Sequence, residues 1–156
     1  MSHSNAPQEE PAEHVRFAVY LSELEQVADA DEADLVSEVL TDPDQIMAQS
    51  AVLRHLDRRA TDLHHGPAYE PWTESMAQTV IGHPFLTRRL REWSLLRAIT
   101  LGRPWHQDAL LESSDWLQRK AAAGSNADAL ELLAERGRTK RIRSTARITL
   151  QQLRPH

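Results

Sequence analysis

Gly82-His-Pro-Phe-Leu-Thr-Arg-Arg-Leu-Arg-Glu-Trp-Ser-Leu-Leu-Arg-Ala-Ile-Thr-Leu-Gly-Arg-Pro104 is the stretch that decides the fold class. Its apolar residues Leu86, Leu90, Trp93 and Leu96 recur every three or four positions, a spacing that lines one face of a helix and no face of a strand. Glycine and proline punctuate both ends. Glycine accepts the left-handed conformation just past a helix C-terminus, and proline at the first helical position gives up only an amide that has no partner there. Gly66-Pro67 repeats the signal, so helices are expected to end at each glycine and begin near each proline.

The same period extends outward in both directions. Before the stretch, it predicts helices over 15–28 (Phe17, Leu21, Leu24), 31–40 (Leu35, Val36, Val39, Leu40), 43–63 (Ile46 or Met47, Leu53, Leu56) and 71–81. After it come 104–122 (Leu110, Trp116, Leu117), 127–135 and 139–153. Asp42 ahead of Pro43, and Asn126 ahead of Asp128, read as N-caps. No segment alternates with period two. The expected fold is all-α, with seven to eight antiparallel-packed helices joined by short connections. It is either an irregular helical bundle or a short α–α superhelix.

The second possibility comes from a resemblance. In residues 31–56, Asp42, Pro43, Ile46 and Ser50 follow a short capped helix; in 126–153, Ile142, Arg143, Ala146 and Leu150 do the same. Both segments resemble HEAT-type helical repeats, whose second helix often opens with Asp-Pro and continues apolar, arginine, small, leucine. Arg54 stands at the leucine position of the first segment, and residues 67–123 match no repeat. The resemblance implies stacked helical pairs.

The 156 residues fit one domain, taken as 14–156, after a disordered acidic tail over 1–13. Without cysteine, the chain has no disulfide, thiolate nucleophile, Cys-ligated zinc or iron–sulfur cluster. No apolar run reaches the roughly 18 residues that a membrane span needs, and the N-terminus lacks a secretory pattern, so a cytoplasmic protein is expected. Arginine outnumbers lysine sixteen to two, a bias that accompanies GC-rich bacterial genomes.

Charge is segregated along the chain. Residues 1–50 hold twelve acids against one base, Arg16, while residues 51–156 hold eleven acids against seventeen bases, within a formal net charge of −5. The acids of 23–44 read as helix caps and first-turn residues, which favour helix N-termini. They lack the glycine and glutamate positions of a calcium loop. The bases concentrate at Arg136, Arg138, Lys140, Arg141, Arg143 and Arg147. With Ile142, Ala146, Thr149 or Leu150, and Leu153 inward, Lys140, Arg143, Arg147, Gln151 and Arg154 form a stripe on one helix side. Cations near a helix N-terminus are disfavoured by some 0.3–1 kcal/mol each, so the cluster points to a compensating anion: a phosphate backbone, an acidic partner or the chain's own N-terminal acids. A second cluster, Arg88, Arg89, Arg91 and Arg97, reads as structural.

No metalloprotease, nucleophile-elbow or phosphate-loop motif is present among the eight histidines and five glycines. Hence no catalytic residue, cofactor or metal is assigned. Trp93 belongs to the core stripe, while Trp72 and Trp105 follow prolines and read as staples over a turn. The expected function is non-enzymatic: a helical adaptor or regulatory module that binds a protein partner or further copies of itself through segregated acidic and basic faces, the acidic helices over 17–44 and the basic C-terminal helix. The alternative is a nucleic-acid-associated protein using the basic C-terminal helix, against which the pI near 5.9 argues.

Overall fold

A computed structural model of the chain describes residues 5–154, and the surroundings of the side chains at 12 and 14–154. The described residues form α1 (Asn5–Gln26), a 3-10 turn (Asp29–Asp31), α2 (Glu32–Val39), α3 (Gln45–Leu63), α4 (Tyr69–Thr79), α5 (Pro84–Leu101), α6 (Gln107–Leu111), α7 (Asp115–Ala122), α8 (Ala127–Arg136) and α9 (Lys140–Leu153). The fold is all-α among these residues, with nine helices where seven or eight were expected. No helix among them is long and apolar enough to cross a membrane. Of the tail expected over 1–13, residues 1–4 lie outside the described ones; α1 begins at Asn5.

The additional helix comes from splitting 104–122. Pro104 does not start a helix; α6 begins three residues later and stops at Leu111. Ser114 then takes an extended conformation and caps α7 by accepting from the Leu117 amide. Glu92 holds that break in place, since its carboxylate accepts from both the Ser114 amide (2.8 Å) and hydroxyl (2.6 Å). A glutamate 22 positions upstream leaves no trace in the local period. At the start of α3 the cap also differs from expectation. Asp44, not Asp42, accepts the Met47 amide (3.1 Å), because Asp42 has turned inward. The glycine punctuation is as read at two places: Gly82 and Gly102 have φ of +92° and +70°, a region that favours glycine.

The chain sorts into two compact units, one comprising residues up to Leu63 with Ala68–Arg89, the other His64–Pro67 with Leu90 onward. In the first unit, α1 packs on α3 and α2 on α4. Leu24, Val36, Val39, Val52, Leu56, Met76 and Leu86 are buried there. Of the α3 alternatives, Met47 faces inward and Ile46 is 85% exposed. In the second unit, α8 and α9 form a closely packed hairpin, with α7 against both. Its core takes Leu90, Trp93, Leu96, Leu117, Leu130, Leu133, Ile142 and Ala146. Trp93 meets the rings of Trp116 and His64 edge-on, each at 5.3 Å between centroids. A buried leucine or isoleucine side chain contributes about 1.5–3 kcal/mol, so these stripes dominate the stability of each unit.

Candidate functional site

Five of the six basic residues singled out in the sequence lie around the α8–α9 turn, with Arg147 two turns along α9, and the turn explains some of them. Gly137 is buried there. A Cβ on it would lie 2.7 Å from the Leu133 carbonyl oxygen and 2.8 Å from Ile142 Cγ2, so glycine lets the two helices approach. Thr139 caps α9 by accepting the Ile142 amide (3.1 Å). Gln118, fully buried, accepts the Arg138 amide (2.8 Å) through its carbonyl oxygen. Through its amide nitrogen it donates to the carbonyls of Leu110 and Leu111. One buried glutamine thus ties the turn to the end of α6.

The C-terminus of α8 and the N-terminus of α9 therefore meet. The negative end of the α8 dipole offsets part of the repulsion that cations feel at the start of α9. Arg136 occupies the last turn of α8, where a base is favourable. Arg143 departs from the expected stripe: half-buried, it donates from Nη1 to the Gly137 carbonyl (2.8 Å) and so completes the end of α8. Arg138 is exposed and pairs with Asp115 (2.8 Å). Lys140, Arg141 and Arg147 remain, all exposed, on a helix that carries no acid between residues 140 and 154. Beside Arg141 runs a groove of about 550 Å³ floored by Ile142 and flanked by Asp115 and Arg119 of α7 and by Thr145. Ile148, 56% exposed, adds an apolar contact to the same side of α9.

A second polar constellation, in the first unit, was not apparent in the sequence. Glu32 is 3% exposed. Its carboxylate accepts from His55 Nε2 (2.6 Å), Trp72 Nε1 (2.9 Å) and, in bidentate fashion, Arg59 Nε and Nη2 (both 3.0 Å). Burial pushes the Glu32 carboxyl up, but the donors on His55, Arg59 and Trp72 outweigh it and hold it at about 2. The same carboxylate raises the Arg59 guanidinium. Arg58 Nη2 lies 2.8 Å from His55 Nδ1. A guanidinium can only donate, so Nδ1 is the acceptor and Nε2 carries the proton given to Glu32. Both ring nitrogens are thereby engaged, although His55 also borders a cavity of about 340 Å³ with Leu21, Glu25 and Arg54. Trp72 is accordingly more than a staple: its indole nitrogen is part of the network.

Asp42 forms the second node. Six per cent exposed, it accepts from Arg16 Nε and Nη2 (3.1 and 3.2 Å), from the Tyr20 hydroxyl (2.7 Å) and from the Asp44 amide (2.9 Å). The Arg16 guanidinium, the Tyr20 hydroxyl and that amide hold its carboxyl at about 2, and Asp42 in turn raises the Tyr20 hydroxyl. The one base among residues 1–50 is thus placed on a buried acid. The Arg88–Arg97 cluster is structural at two of its members. Arg89 pairs with Asp57 (2.6 Å), and Arg97 donates to the His64 and Gly66 carbonyls (3.0 and 3.1 Å). No protein-family model, curated protein or solved structure matches the chain.

Proposed function

We propose that this chain is a non-enzymatic protein-binding module whose contact surface is the basic side of α9, engaging an acidic protein surface in a bacterial cytoplasm. Lys140, Arg141 and Arg147 make the primary contacts, with Arg119 across the groove and Arg136 and Arg138 at the rim. The α8–α9 hairpin serves as a HEAT-like pair that presents this side. What supports the reading is the state of the cations. Glu32 and Asp42 are buried with their donors already in place and Arg143 caps a helix, whereas Lys140, Arg141 and Arg147 stand exposed on a helix without acids. The groove beside them, floored by an apolar residue and edged by two guanidiniums and by Asp115, whose charge Arg138 offsets, fits a carboxylate-bearing helix or strand.

The test is titration of a fluorescent poly-glutamate peptide and, separately, of a short DNA duplex against the wild type and the Lys140→Glu, Arg147→Glu double variant. The peptide is expected to bind the wild type, and the double variant to weaken it at least about tenfold. A duplex that binds while the peptide does not, its affinity falling linearly in log salt, would replace this reading with the nucleic-acid one.

A further inference from the structure

We infer that the basic side of α9 docks into an acidic groove on α8 of a second copy of this chain, joining copies head to tail. The inference rests on the reading of α9 as a contact surface and names its partner. The groove has a volume of about 690 Å³ and lies between the 102–107 loop and α8. Asp128, Glu131 and Glu135 line it from successive turns of α8, with Leu132 and the half-buried Trp105 as its apolar wall. Arg103 is the one cation among its lining residues. Glu131 is met at the surface by Arg154 (2.6 Å). Asp128 and Glu135 are exposed.

The two surfaces match in spacing as well as in sign. Asp128 and Glu135 are seven residues apart, and so are Lys140 and Arg147. At about 1.5 Å rise per residue each pair spans about 10.5 Å along its axis, so both ion pairs form in one register with neither helix bent. Ile148, next to Arg147 and 56% exposed, supplies the apolar contact for Leu132 and Trp105.

Within one hairpin the two surfaces meet at one place, where Arg154 at the end of α9 reaches Glu131. α8 packs through Ala129, Leu130 and Leu133, and α9 through Ile142 and Ala146. At 100° per residue, the acids of α8 and the bases of α9 fall on the sides opposite those packed faces. Asp128 and Glu135 therefore stand away from Lys140 and Arg147 of the same chain, and their complement is α9 of another copy. Where the contact is not reciprocated between the same two copies it is heterologous and generates a ring or an open chain.

Light scattering on the full chain tests this, with two variants: Asp128→Lys with Glu135→Lys, and Lys140→Glu with Arg147→Glu. At about 0.05 M salt the wild-type mass is expected to climb with concentration above the 17.7 kDa of one copy, and to return to it at about 0.5 M, where the screening length is severalfold shorter. Each variant alone should stay at the mass of one copy. An equimolar mixture should associate again, because the reversed groove of one variant faces the reversed helix of the other; unfolded chains would not recover in this way. A wild type that stays at one-copy mass at every concentration in low salt overturns the inference, as do variants that associate alone as the wild type does. If poly-glutamate binds the wild type while the chain remains monomeric, the self-docking falls and the α9 reading stands. If neither occurs, both fall.

Discussion

Glu32 stands in the first turn of α2, where its charge alone gives a reason for an acid. That reason is visible in the local sequence. Its actual surroundings are not, because the donors on His55, Arg59 and Trp72 lie 23, 27 and 40 positions away. Replacing Glu32 with glutamine removes the charge and sets an amide against donors that remain in place. Uncompensated buried charge of this kind costs about 3 kcal/mol or more, and urea unfolding should show a loss of that order. Ile46, 85% exposed, makes the useful contrast. Ile46→Ser should change stability by less than about 0.5 kcal/mol, although the apolar residue looks the more structural of the two on paper. A glutamine variant as stable as the wild type would mean that the network is solvated. Burial of a polar side chain is a tertiary property, and a helical period reports only which apolar residues share a face.

At the scale of elements, much more was legible. The Leu86–Leu90–Trp93–Leu96 stripe, the ends at Gly82 and Gly102, and the Asn126 cap, which accepts the Ala129 amide (3.0 Å), are local features, and local sequence carries them. The division of 104–122 was not, since Ser114 acts as a cap only where Glu92 reaches it. The α8–α9 turn combines both kinds of information. Thr139→Ala removes a cap and should cost about 1 kcal/mol. Gly137→Ala should cost more, about 1–3 kcal/mol, because the added methyl meets the backbone of α8 at 2.7 Å and the side chain of α9 at 2.8 Å. Thermal melts of the two variants rank them directly; the reverse order would mean that the helices separate easily at this turn. The same turn accounts for the partial reading of the basic site. Helical spacing puts Arg143 in one stripe with Lys140 and Arg147, yet Arg143 is a cap, and Arg136 sits at a favourable helix end.

For the molecule as a whole, the segregation of charge is plain in the sequence, but which acids are held inside is not. Glu32 and Asp42 both belong to the first unit, and both are held at about 2 against ordinary values of 4.5 and 3.8. A folded-state value below the unfolded one contributes stability that is complete above the unfolded value and disappears as pH falls through the folded one. The window here runs from about 4.5 down to about 2. Protonation of Glu32 removes the acceptor shared by His55, Arg59 and Trp72, and protonation of Asp42 releases Arg16 from α3's approach. Acid should therefore loosen α2 and the start of α3 before it reaches the α8–α9 hairpin, whose turn is fixed by the neutral side chains of Gln118 and Thr139 and by backbone carbonyls. Amide hydrogen exchange at pH steps across that window, corrected for intrinsic rates, is expected to show protection lost first over residues 32–52. Simultaneous loss over residues 130–150 would instead place the acid-sensitive step outside the Glu32 and Asp42 networks.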